Sequence, residues 1–202
     1  ETESSFNKTQ SVFEYQEITV SEAGVIHDLA TTGNGRKVAA ATDNGVFLWR
    51  DFRESTTPVQ VLAEKATSVA FGLHPDQNDQ QFVLICGQAD GVVTYRDLTS
   101  MKELNRITAP SNPDPVRRIA ICPTGIGEAF AGIDSTRHAP WLVGGPFGTT
   151  STQIPARYIG NHRGHVTSIV FTQFGRHILS GDKDGRIKWW EFKKPLAPEP
   201  QF

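Results

Sequence analysis

Residues 164–192, GHVTSIVFTQFGRHILSGDKDGRIKWWEF, carry the clearest hydrophobic pattern in the chain. Residues 166–172 alternate, with Val166, Ser168 and Val170 expected on one side and Thr167, Ile169 and Phe171 on the other. Such a period of two predicts a strand. Residues 174–176 read as a turn and 177–182 as a second strand. Lys183-Asp184-Gly185 reads as a tight hairpin turn, because Gly takes the positive φ such turns need. Residues 186–192, β-branched and aromatic, read as a third strand.

The same order recurs upstream. Residues 25–52 give strands at 25–31, 36–42 and 45–52, with turns at Asn34-Gly35 and Asn44-Gly45. Residues 66–98 repeat it with a longer first loop at 73–80 and Asp90-Gly91 at the second turn. Residues 115–143 keep the first two strands, and the third, near 138–143, lacks an Asp-Gly turn. Val69, Ile119 and Ile169 fall at matching first-strand positions, 50 residues apart. A period in this range with several strands per unit predicts β-propeller blades rather than helical repeats. Candidate fourth strands lie at 58–63, 103–108 and 151–159. The expected fold is all-β, about four four-stranded antiparallel blades at 21–63, 64–109, 110–160 and 161–192, with almost no helix. Residues 1–20 form an N-terminal segment whose stretch 11–20 is a candidate blade-completing strand. Residues 193–202 are a Pro-rich tail that cannot supply a ladder of N–H donors.

The unit 164–192 resembles a WD40 repeat: Gly164-His165, a strand, Ser180-Gly181, Asp184, then Trp190-Glu191 where the family ends Trp-Asp. The upstream units are degenerate, with Trp49-Arg50 and Arg96-Asp97 at that place. The resemblance implies a structural hydrogen-bond relay of His165, Ser180, Asp184 and Trp190. Asp184 would accept from the His ring, and Ser180 would link the ring to the indole. A Ser, a His and an Asp in one unit also invite a hydrolase reading. Ser180 has no nucleophile elbow, and GxSxG is absent.

Charge and chemistry narrow the picture further. The formal net charge of −2 argues against the whole chain being a nucleic-acid binder. Apolar runs fall short of a membrane span, which needs about 18 residues. Cys86 and Cys122 have no metal spacing and read as buried thiols of a reducing compartment. Asp182-Lys183-Asp184-Gly185 starts like a calcium loop but places Arg186 at the fifth position. No histidine pair has zinc spacing and no phosphate-binding glycine motif occurs, so no metal and no cofactor is expected. The C-terminal segment is basic, with Arg163, Arg176, Lys183, Arg186, Lys188, Lys193 and Lys194 against Asp182, Asp184 and Glu191, and is read first as a solvated edge. Trp189, alternating with Trp190, is expected to pack between blades.

The function expected from the resemblance is a non-catalytic platform: a protein-interaction scaffold or ligand-sensing domain of a larger protein or complex, cytoplasmic or nuclear. The alternatives are a propeller enzyme with a central-channel site, near His27, Asp28, Arg117 and Arg118, and nucleic-acid binding through the basic last blade. Candidate partner-binding residues are Trp141 and Phe147 in a Gly/Pro-rich excursion, His74 and Asp76 in a long polar loop, and Arg163 and Arg186 on the last unit. Four units sit at the low end of the roughly four to eight blades of propellers, and the chain opens on Glu1. The sequence is therefore expected to belong to a longer propeller or to one completed by another chain or segment, with a four-bladed ring as the remaining option.

Overall fold

The computed structural model describes residues 17–73, 82–108, 113–123, 127–131, 141–144 and 156–191. Within them the secondary structure is all β, and no helix is long and apolar enough to cross a membrane. The first sheet is β1 (Ile26–Thr31), β2 (Val38–Thr42), β3 (Gly45–Trp49) and β4 (Val59–Leu62). The second is β5 (Ala66–Leu73), β6 (Phe82–Gln88), β7 (Val93–Asp97) and β8 (Glu103–Ile107). The third is β9 (Arg118–Ile121), β10 (Gly127–Ala131), β11 (Trp141–Gly144) and β12 (Ala156–Tyr158). The fourth is three-stranded: β13 (Val166–Phe171), β14 (His177–Asp182) and β15 (Ile187–Glu191). Every sheet is an antiparallel meander in sequence order. These are propeller blades, as the period of the sequence predicted.

The blades stack through their first strands, β1 on β5, β5 on β9 and β9 on β13. Apolar side chains fill each junction. Ala39, Val46 and Leu48 of the first blade meet Val69, Leu84 and Cys86 of the second. Ile85, Val93 and Tyr95 of the second meet Val116 and Ile119 of the third. Cys122, beyond β9, meets Val166, Ile169 and Ile178 of the fourth. Both faces of a blade must therefore be apolar, which is why the strands are richer in β-branched and small residues than a half-solvated sheet.

The expected alternation in the last first strand needs a correction. Val166, Ile169 and Phe171 are buried together, while Ser168 and Val170 are exposed. The pairing shifts register between Val166 and Ser168, a bulge that adds one residue and reverses the phase of Val166. The same irregularity occurs between Ile26 and Asp28 and between Ala66 and Ser68. In the candidate strand at 11–20, residues 17–20 carry no strand, and Ile18 and Val20 pack on Ala40, Phe47 and Trp49 of the first blade. Residues 11–16 lie outside the described residues.

Gly87 marks how closely two blades approach. A Cβ built there would meet the Ser68 hydroxyl and stand 2.7 Å from the Val116 Cβ across the junction. Gly87→Ala should therefore cost about 1–3 kcal/mol through overpacking. Gly33→Ala, with nothing within 4 Å of its added Cβ, should leave the melt nearly unchanged. Thermal unfolding of the two variants side by side checks this.

Candidate functional site

Two polar features stand out: a buried relay in the last blade and a charged rim along the first strands. The relay begins with alternation. Ile178, Ser180 and Asp182 are the buried positions of β14, so Ser180 and Asp182 point to the same face. Trp190 pairs with Ile178 in the register and reaches Ser180 on that face. Its indole Nε1–H donates to Ser180 Oγ at 2.7 Å. Ser180 Oγ lies 2.7 Å from His162 Nε2, and His162 Nδ1 lies 2.9 Å from Asp182 Oδ2. Because the indole can only donate, a neutral His162 accepts the Ser180 hydroxyl proton at Nε2 and donates from Nδ1 to Asp182. Each polar atom of this chain of bonds then has its partner.

The histidine and acid of the relay are thus His162 and Asp182, and not His165 and Asp184 as the sequence motif suggested. Asp184 follows the end of β14 in the hairpin turn, half-exposed, and its carboxylate accepts from Arg186 at 3.3 Å. His165 directly precedes β13, and its Nδ1 meets Asp114 Oδ2 at 3.0 Å across the junction with the third blade. His162, three residues earlier, sits where the incoming chain passes behind β14. Two signals in the sequence point to the right pair. Asp182 stands two residues after Ser180 and so shares its face, and His162 lies in the loop that must cross over the sheet before β13. Gly160, with φ +151°, lets that loop lie directly on the Trp190 ring.

Burial works to raise the Asp182 carboxyl, but hydrogen bonds from the Arg186 backbone, His162 and the Asp184 backbone outweigh it and hold it at about 2. The first and second blades lack the relay. By register, Cys86, Gln88 and Arg96 take the places of Ser180, Asp182 and Trp190 in the second blade. Burial pushes the Cys86 thiol up to about 12. In the first blade Ala40 replaces the serine, and the Trp49 indole donates instead to the Thr56 carbonyl at 3.0 Å.

The rim joins blades. Asp28 Oδ1 accepts from Arg118 Nη1 at 2.7 Å, and its Oδ2 accepts from the Val69 backbone at 3.2 Å. One carboxylate of the first blade thereby holds the second and the third. Asp114 bonds Arg117 at 3.0 Å with one oxygen and His165 at 3.0 Å with the other. Asp43 lies well below the usual carboxylate range because it accepts from Lys65, from His27 and from the Val25 backbone. His27, Asp28, Arg117 and Arg118, the candidate channel charges, are thus engaged in ties within and between blades. Among the described residues no group of three His, Cys, Asp or Glu side chains could hold a metal ion.

Of the candidate partner-binding residues, His74, Asp76 and Phe147 lie outside the described residues. Trp141 opens β11, with its side chain outside the described part. Arg163 is exposed on the loop entering the last blade, and Arg186 is paired with Asp184 on its hairpin turn. They lie on one blade, and the structure brings neither into the relay.

The stacked antiparallel meanders are β-propeller blades, and the three-stranded last blade carries a Trp–Ser–His–Asp relay. Comparison with known proteins agrees: residues 156–191 match the family described as WD domain, G-beta repeat. The chain is also similar to the Saccharomyces cerevisiae protein named "Target of rapamycin complex subunit LST8", with 37% identity over 49 residues. That match covers 24% of this chain and 16% of the relative's length.

Two predictions follow from the relay. Ser180→Ala strands the indole N–H and His162 Nε2 together, and should cost about 1–3 kcal/mol. His162→Leu should cost a similar amount, whereas His165→Leu, which leaves Asp114 still bonded to Arg117, should cost less. Urea melts of the three variants distinguish the two histidines. The second concerns acid. The Asp182 carboxyl falls from an ordinary 3.8 to about 2 in the fold, so its contribution is complete above the higher value and vanishes as pH drops through the lower. Asp182→Asn, which keeps an acceptor oxygen but does not titrate, should flatten the loss of stability across that window, read from tryptophan fluorescence in acid titrations.

Proposed function

We propose that this chain is a non-catalytic protein-interaction scaffold, a rigid stack of WD40-type blades that holds a protein partner within a multi-subunit, intracellular assembly. The observation that carries this reading is the use made of its reactive side chains. Ser180, His162 and Asp182, a set capable of hydrolytic chemistry, lie buried behind Trp190 with every bond directed inward. The rim charges tie blade to blade. What remains for recognition is the outer surface and its loops, presented on a stiff frame. A relative whose name makes it a subunit of a complex supports the same role.

The basic excess of the last blade is partly engaged internally. Arg186 pairs with Asp184, and the Lys188 ammonium donates to the Asn161 carbonyl and lies 5.4 Å from the Trp190 ring centre. That favours an acidic protein patch at Arg163 and Arg186 over a nucleic-acid backbone, which needs a row of free cations.

The test is affinity purification of the tagged chain with nuclease treatment, beside the double variant Arg163→Glu/Arg186→Glu. The scaffold reading expects a protein partner at near-stoichiometric yield, reduced about tenfold or more in the variant while its melt is unchanged. Recovery of no stoichiometric protein, or of one that nuclease releases, overturns it.

A further inference from the structure

The turns joining the first two strands of the first and last blades can be compared bond by bond. In the first blade the Thr32 N–H donates to the Lys37 carbonyl, the Gly35 N–H to the Thr32 carbonyl, and the Lys37 N–H to Thr32 Oγ1. In the last blade Thr172, Gly175 and His177 make the same bonds in the same places. Gly35 and Gly175 share a φ of +67°. The turn is one backbone structure built twice.

The residue before the glycine differs. Asn34 braces its own turn: Oδ1 accepts from Thr32 Oγ1 at 2.8 Å and from the Arg36 N–H at 3.0 Å. Phe174 stands in that place, can make neither bond, and is 73% exposed. A single apolar side chain on a surface is ordinary. One that displaces the residue favoured by the turn's own bonds breaks a local rule, as functional positions do. The position after the glycine differs as well. Arg36 faces Asp51 at 3.6 Å. Arg176 is exposed and has no ion-pair partner among the described residues. Counted from Trp49 and Trp190, the residue at the place of Asp51 is Phe192, which brings no charge.

Exposure here is a property of the turn. The first blade has the second packed on it, and Asn34 is exposed all the same. A Cβ added at Gly33 or Gly35 beside it would meet nothing within 4 Å. The tip of this turn stands clear of the faces by which blades stack.

We infer that Phe174 and Arg176 anchor a protein partner, the ring in an apolar pocket and the guanidinium on a carboxylate at its rim. The occupant is named by charge complementarity: an unpaired cation lies two residues from an exposed ring, and aromatic residues and Arg are enriched at protein interfaces. A nucleic-acid backbone fits less well, because the turn offers one cation and Glu191 lies at the same end of the blade, 4.0 Å from His177. The turn is at the opposite end of β14 from Arg186, about 20 Å of strand away. The last blade therefore carries two separate anchors. That the occupant is a protein rests on the scaffold reading; the surface is a different one.

Two measurements test it. Phe174→Asn gives the last blade the turn residue of the first. Its melting midpoint should equal or exceed that of the unmodified chain, because Asn supplies the bonds that Phe cannot. A lower midpoint means that Phe174 packs on this chain itself, and overturns the inference. In the second, p-benzoylphenylalanine replaces Phe174 and the chain is irradiated in nuclease-treated cell extract. The expected result is a crosslink to another protein, within a segment bearing Asp or Glu. With that protein purified, Phe174→Asn and Arg176→Glu should each weaken binding about tenfold or more. Exchange of the partner's carboxylate residue for Lys should restore the binding of Arg176→Glu. No crosslink, a crosslink confined to this chain or a second copy of it, binding unmoved by either substitution, or no rescue overturns the inference. Arg163→Glu/Arg186→Glu should leave the crosslink in place, so failure of the patch at the other end and failure here are separate results.

Discussion

A four-stranded sheet that is apolar on both faces cannot remain by itself in water, and every other feature of this chain follows from that constraint. At each of the three junctions a blade buries an apolar face on its neighbour. The bulge at the start of β1, β5 and β13 serves this packing. It turns Ala66 and Val166 into phase with Val69 and Ile169, while Ser68 lies buried on the opposite face, where it bonds the next blade. Gly87 and Gly181 pair opposite Ser68 and Ser168, and any side chain at either position would strike that serine. The ion pairs of Asp28 and Asp114 then lock blades that apolar contact has already brought together.

Within this stack a blade is specified in two ways. The last blade uses a closed polar network, in which Trp190, Ser180, His162 and Asp182 satisfy one another. The second lacks that network and relies on apolar bulk, with Ile85, Val93 and Tyr95 fully buried on one face and Leu84 and Cys86 on the other. It bears a polar cost, because buried Gln88 Nε2 and Arg96 Nε, at the positions of Asp182 and Trp190, lack hydrogen-bond partners.

The blades were legible in the sequence because period, turn residues and spacing agree: Val69, Ile119 and Ile169 do occupy one structural position. The relay was only half legible. Ser180 and Trp190 lie in strands, where alternation is reliable. The histidine lies in a loop, where no period separates His162 from His165. Asp184 precedes the turn glycine and attracts notice for that reason, yet it is Asp182, in phase with Ser180, whose side chain turns inward. The phase of Val166 was misread because a bulge leaves no mark in the pattern of one strand. It becomes visible only when the residues of the opposing strand are counted as well.

The contrast between His162 and His165 also bears on what such a frame can do. Both histidines face a carboxylate at about 3 Å. His162 is buried between Ser180 and Asp182, with both ring nitrogens engaged. His165 sits half-exposed at a junction, where its bond to Asp114 couples the placement of the last blade to the third. Buried groups here hold each blade in register, and exposed ones hold blades to each other. Stiffness at both levels fixes the loops and edges relative to one another, and a surface so preorganised can bind without first paying to order itself.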